Sequence, residues 1–167
     1  KSRAVKKIYQ VKKRPENRPL IILIANKSDL KKVAREIPKE TDQLIKKFWP
    51  GPLTLVLKKK KIIPEMVSGG GDTIAVRMSP HPIALALIKA LGRPITGTSA
   101  NLSGQSPHRA VAGVIRELGR KKEISLILDA GKTPLANPST ILDLTKKPFR
   151  ILRKGAIDSR EILKYTL

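Results

Sequence analysis

Residues 96–104, TGTSANLSG, place five hydroxyl or amide side chains among two glycines and an alanine. Small donors of this kind, between a short apolar approach (Arg93-Pro94-Ile95) and a helix-like run from Pro107, suit two roles. They form a cradle for a phosphate or carboxylate, with backbone N–H groups open to close approach, or they form an ordinary turn. Residue type alone leaves both open.

Three further polar segments carry chemistry. The basic stretch from Lys12 to Arg18 contains Lys12, Lys13, Arg14 and Arg18, with Pro15 inside it and Pro19 just after. Its cations fit triphosphate oxygens, arginine as a planar fork and lysine as a point charge, and they equally fit a solvated turn. In DTIAVRMSPHP, Thr73 and Arg77 stand four apart on an apolar strand and share one face. An inward arginine there needs an anion, either a substrate carboxylate or a structural aspartate. Finally, Asn137-Pro138-Ser139-Thr140 ends a loop ahead of a strand, and Arg153 follows the next one.

The elements that must position these groups are read from periodicity and punctuation. Helices are expected at 4–12, at 29–36 behind Ser28 as N-cap, at 40–48, at 81–91, at 107–118 closed by Gly119, and at 158–165 with Asp158 as N-cap. The 81–91 helix is apolar on nearly every side and is expected to be buried on more than one of them. Strands are expected at 20–24, 53–57, 73–77, 124–128, 140–144 and 149–152. Trp49-Pro50-Gly51-Pro52 ends a helix sharply. Helices and strands mix without a β-α-β rhythm, which points to an α/β sandwich around a mixed, twisted sheet.

At 167 residues and 40 % apolar content the chain is expected to form one domain with a real core. It has no cysteine, and its two histidines, His81 and His108, are far apart, so no disulfide, thiolate or His-based metal site is expected. His81, just before Pro82, reads as a helix-start residue. No P-loop pattern GxxxxGK[ST], no GxGxxG after a strand and no HExxH occurs. No apolar run reaches the roughly 20 residues of a membrane helix, and a cytoplasmic location is expected. Against 13 acidic residues stand 35 Lys and Arg, a net charge of +22 that favours contact with nucleotides or nucleic acid. One tryptophan, two tyrosines and two phenylalanines, scattered along the chain, do not make a base-stacking platform.

In this order, VKKRPENRPL, FWPGPLTLVL, DTIAVRMSPHP, TGTSANLSG, NPSTILDL and ILRKGAI, spanning residues 11–157, resemble the YrdC-like family of L-threonylcarbamoyladenylate synthases in its short form. The resemblance implies a YrdC-like α/β twisted open sheet with a large, positively charged concave cavity, a single domain over 1–167. It also implies a nucleotidyltransferase that forms threonylcarbamoyl-AMP and pyrophosphate from ATP, L-threonine and bicarbonate. A downstream threonylcarbamoyl-transferase complex would use that product on tRNA next to the anticodon. Lys12 and Arg14 match the family's KxR pattern, and Ser99 and Asn101 its SxN pattern. By resemblance, Lys12, Arg14, Arg18, Thr73, Ser99, Asn101, Ser106 and Arg153 would bind ATP, while Arg77, Gly97, Thr98 and Ser139 would bind L-threonine. Mg²⁺ would travel with the triphosphate, with no protein side chain as ligand and no protein nucleophile. Two departures stand out: the chain starts after the strand and PTETVYGL-type loop that open family members, and Leu23 stands where long forms carry histidine. A short form ending at Leu167 is expected to be without the long form's C-terminal domain.

Two other readings compete. A non-catalytic module for double-stranded RNA or tRNA would account directly for the net charge of +22. A relative of the carbamoyl-adenylate domains of hydrogenase-maturation proteins is disfavoured, because those sit in longer chains with cysteine-rich zinc segments.

Overall fold

Alternation of apolar residues along short segments builds one six-stranded mixed sheet. The computed structural model describes residues 1–133 and 137–166. Its strands are β1 (Ile21–Leu23), β2 (Leu53–Lys58), β3 (Thr73–Arg77), β4 (Ile95–Gly97), β5 (Thr140–Asp143) and β6 (Arg150–Arg153). They lie in the order β4-β1-β3-β2-β5-β6. β1 runs parallel to β3 and β2 to β5, and the remaining neighbours are antiparallel.

The two faces of this sheet differ. Ile22, Leu55, Val76 and Leu142 stand in register across four strands, and each is 4 % exposed or less. Onto that face pack α1 (Ser2–Lys12) through Val5 and Tyr9, α2 (Leu30–Val33) through both its ends, and α3 (Glu40–Phe48) through Leu44 and Ile45. The short α4 (Glu65–Ser68) and α7 (Ser159–Leu163) add Val67 and Ile162. The alternate residues Ile21, Leu23, Ala75 and Arg77 point to the other face and stay half-buried, because successive side chains of a strand point in opposite directions. That open face is the floor on which the polar loops stand.

Several expected elements form as read, including α1, α3, α7 and five of the strands. The carboxylate of Asp158 accepts from the Arg160 amide at 2.8 Å, so this cap is built as expected. Others differ. The helix expected at 29–36 is a 3₁₀ turn, Lys27–Asp29, continuing into the four-residue α2. Asp29 reaches back to the Asn26 amide at 3.1 Å, so the turn begins at Asn26 and not at Ser28. Ala34 then leaves in extended geometry and bridges to Lys59. The helix expected from 107 begins as α6 (Val111–Leu118), because Ala110 is extended and the Arg109 carbonyl is tied to Thr133.

The strand expected at 124–128 does not form. Leu126 and Leu128 are 73 % and 54 % exposed, and β-propensity without a neighbouring ladder does not make a strand. The apolar helix α5 (Pro82–Leu91) forms but is not buried on several sides: Ile88 is its one buried side chain, and Ile83, Leu87 and Leu91 are 39–45 % exposed. Among the described residues, no second layer covers it. No helix of the described residues is long and apolar enough to cross a membrane.

Leu55 is fully buried at the centre of the sheet, paired with both Val76 and Leu142. Leu55→Ala is expected to cost about 2–5 kcal/mol, read as a lower urea midpoint. Leu126→Ala, on the exposed 124–128 run, is expected to stay within about 0.5 kcal/mol of wild type.

Candidate functional site

The turn WPGPL sets the site's central cation. A cis Trp49–Pro50 bond reverses the chain after α3, and the Trp49 indole donates to the Leu53 carbonyl at 2.8 Å. Gly51 sits so close to the helix end that a Cβ would meet the Phe48 carbonyl oxygen at 2.3 Å, so only glycine fits. The Gly51 amide donates to the Met78 carbonyl at 3.0 Å, and the Gly51 carbonyl accepts from Arg77 Nε at 2.9 Å. The guanidinium is thereby fixed at the carboxyl end of β3. Among the described residues, its terminal nitrogens have no hydrogen-bond partner, and no carboxylate is within ion-pair distance. The structural aspartate left open by the sequence is therefore not found among them. Burial first, and then the charge of Arg153, push Arg77 below the usual range of an arginine.

Arg153 comes from the end of β6. Its Nε and Nη2 donate to the Ser139 carbonyl at 3.0 and 2.9 Å, and Nη2 also donates to the Ser139 hydroxyl at 3.0 Å. That hydroxyl lies 2.8 Å from Thr54 Oγ1. The NPST and RKGAI segments are zipped together beside this contact. The Ala156 amide donates to the Pro138 carbonyl, while Thr140 Oγ1 bonds both the carbonyl and the amide of Ile157. A Cβ on Gly155 would meet Pro138 and Thr140 backbone atoms at 2.3–2.5 Å, so the zip closes only over glycine.

These groups converge on a cavity of about 520 Å³. Arg14, Arg77, Gly97, Thr98, Ser99, Ser139 and Arg153, all singled out from the sequence, line it together. Arg14 bends back on its own turn, donating to the Arg18 carbonyl at 3.2 Å and the Pro19 carbonyl at 2.9 Å.

Five other residues singled out from the sequence lie outside the lining. Lys12 is 4 % exposed, with Nζ donating to the carbonyls of Ser99 and Asn101 at 2.5 Å each. Burial is the main reason its pKa lies below the ordinary lysine value. Asn101 is buried and donates to the Leu102 and Gln105 carbonyls, shaping the loop from inside. Arg18 and Ser106 are exposed. Thr73 shares a face with Arg77, but four residues at about 3.3 Å each put it roughly 13 Å away, at the far end of the strand.

Leu23 and Ser79 line the cavity without having been assigned a role. Ser79 is two residues beyond Arg77 in an extended stretch, and that period-two spacing is the signal that marks it. The lining holds hydroxyls and arginines but no carboxylate, and among the described residues no three His, Cys, Asp or Glu side chains gather as a metal site.

Residues 1–155 match the Sua5/YciO/YrdC family model, described as telomere recombination. The chain is 46 % identical over 161 residues to a threonylcarbamoyl-AMP synthase of Pyrococcus abyssi, covering 96 % of this chain and 47 % of that protein. A threonylcarbamoyl-AMP synthase of Bacillus subtilis is 41 % identical over 160 residues, with coverage of 95 % and 46 %. The crystal structure of P. abyssi Sua5 complexed with L-threonine superposes with a TM-score of 0.91 at 45 % identity, covering 98 % of this chain and 47 % of that one. The chain thus spans about half the length of these relatives. With the family model over nearly its whole length and the fold shared at this similarity, the chain belongs to the Sua5/YciO/YrdC family.

Proposed function

We propose that the cavity is the active site of a threonylcarbamoyl-AMP synthase, taking ATP, L-threonine and bicarbonate and releasing pyrophosphate. The observation that carries this reading is the half-buried Arg77 guanidinium, fixed through Nε, with no acid at its terminal nitrogens among the described residues and Arg153 near enough to repel it. Two such cations on a hydroxyl-lined wall suit an anionic ligand, and an α-carboxylate matches the arginine fork. The likeness to a relative solved with L-threonine supports the same assignment.

In this reading Arg77 holds the threonine carboxylate, with Ser139 and the backbone at Gly97-Thr98 beside it. Arg14, Ser99 and Arg153 face the nucleotide. The amine of threonine adds to carbon dioxide with loss of a proton, or to bicarbonate with loss of water, to give a carbamate. A carbamate oxygen then bonds to the α-phosphorus as the bond to the pyrophosphate oxygen breaks, and pyrophosphate carries away the electron pair. No protein nucleophile is needed, so the chain contributes position and charge. The lining donors, hydroxyls without carboxylates, fit a Mg²⁺ ion that arrives on the triphosphate better than one held by the protein. When bound, that ion neutralises phosphate charge. The product would pass to a threonylcarbamoyl-transferring complex acting on tRNA, in the cytoplasm.

A second reading, an RNA-binding module, rests on the net charge of +22 and on a groove of about 450 Å³ lined by Arg3, Lys6, Lys7, Gln10, Lys122 and Glu123. Pyrophosphate release separates the two. With ATP, Mg²⁺ and bicarbonate, release is expected to depend on L-threonine. A steep salt-dependent RNA shift without threonine-dependent release would favour the module instead. Arg77→Ala is expected to raise the threonine KM about ten- to a hundred-fold, and Arg77→Lys to recover only part of it, since a lysine lacks the planar fork. An unchanged threonine KM would remove Arg77 from this role.

A further inference from the structure

Behind the 98–103 loop, on residues that do not line the cavity, a second set of contacts grips its backbone. Lys12 is the last residue of α1, and its buried ammonium takes the Ser99 and Asn101 carbonyls at 2.5 Å each. Its own carbonyl accepts from the Ser103 amide at 2.9 Å. On the other flank, Glu117 of α6 accepts from the Leu102 amide at 2.7 Å, and its second oxygen bonds His108 Nε2. Two alternate carbonyls are thus tied to a positive charge and the Leu102 amide to a negative one, from two different helices, while the Ser103 amide is held by the Lys12 main chain. Turning the Ser99 or Asn101 carbonyl or the Leu102 amide away would strand a charged group, and a buried ammonium without partners is costly.

We propose that Lys12 and Glu117 form a clamp that positions the 98–103 loop for its ligand, so that Lys12 acts through the loop's backbone and not as a phosphate contact. The proposal rests on the cavity being the nucleotide site. It explains why Lys12 is sequestered while Arg14, two residues on, lines the cavity. The depressed pKa of Lys12, caused first by burial, and that of Glu117, caused first by the Leu102 amide, agree with charges spent inside the protein.

A direct phosphate ligand and a loop clamp differ in which nucleotides they serve. A side chain on the β- or γ-phosphate matters to ATP and not to AMP, whereas a loop lining the cavity matters to both. Lys12→Met removes the charge at similar length, and Glu117→Gln weakens the acceptor on the opposite flank. Amide exchange at Leu102 and Ser103 and the affinities for ATP and AMP are measured for the wild-type chain and both variants. Exchange is expected to accelerate about ten-fold or more at the Leu102 amide in Glu117→Gln, which loses its strong acceptor, and at both amides in Lys12→Met, through loosening of the loop the ammonium holds at Ser99 and Asn101. ATP and AMP binding should weaken in parallel by about ten- to a hundred-fold. Lys12→Arg, which keeps the charge, is expected to restore part of the AMP affinity. Unchanged AMP affinity in either folded variant overturns the proposal, and loss confined to ATP makes Lys12 a phosphate ligand. If Lys12→Met is not recovered folded, Glu117→Gln is judged by the same criterion. A wild-type chain that binds neither nucleotide defeats the functional reading instead, and unchanged amide exchange then overturns the clamp independently.

Discussion

A half-buried guanidinium with no acid beside it among the described residues is the constraint on which the site depends. Arg77 is held by the Gly51 carbonyl at 2.9 Å, and that carbonyl points the right way only because WPGPL folds into a turn no side chain fits at Gly51. The turn is anchored on both sides, by the Trp49 indole on the Leu53 carbonyl and by the Gly51 amide on the Met78 carbonyl. A neutral carbonyl orients the cation without cancelling its charge, and Arg153 nearby makes an uncompensated pair costlier still. In the proposed site an anionic ligand would relieve that cost, so the same uncompensated charge would supply the affinity.

The packed half of the fold was legible because it follows binary patterning. The apolar runs at 20–24, 53–57 and 73–77 became strands whose alternate residues fill one core face. Segments without that reinforcement were read less well. The run at 124–128 has strand-like composition, yet no neighbour offers it a ladder, and Leu126 stays 73 % exposed. Helix α5 has the composition of a core helix and shows three large apolar side chains to solvent. Periodicity predicts which element forms; only tertiary context decides what covers it.

At the site, side chains on regular elements were easier to place than contacts made by backbone. The strand period put Arg77 on the open face, and the same period extended by two would have added Ser79. The rise along the same strand, four residues at about 3.3 Å each, puts Thr73 a strand length away on that face, outside the cavity lining. Lys12 shows the other limit. In a run of four cations over seven residues it reads as a phosphate contact or a solvated charge, but its partners are the carbonyls of Ser99 and Asn101, and a carbonyl leaves no mark in a sequence. The same holds for Gly51 and Ser139, whose carbonyls orient two of the three cavity arginines.

These contacts share one design. Arg14, Arg77 and Arg153 are each aimed by a main-chain carbonyl, and Lys12 is spent on two more. Carbonyl acceptors fix geometry while leaving a full positive charge to face the ligand; carboxylates would fix geometry and neutralise it. The pattern suits a reaction in which the protein supplies no nucleophile and must hold a polyanion and a carboxylate in register, because fixed charge aimed at developing charge needs little reorganisation as the bonds change. It also gives the net charge of +22 two distinct parts. Most of it is exposed and acts at long range, screened by salt over about 8–10 Å. The few cations that line the cavity or clamp its loop are oriented by fixed carbonyls, and Lys12 and Arg77 are also withdrawn from water, so the effect of those two should survive salt that abolishes the rest.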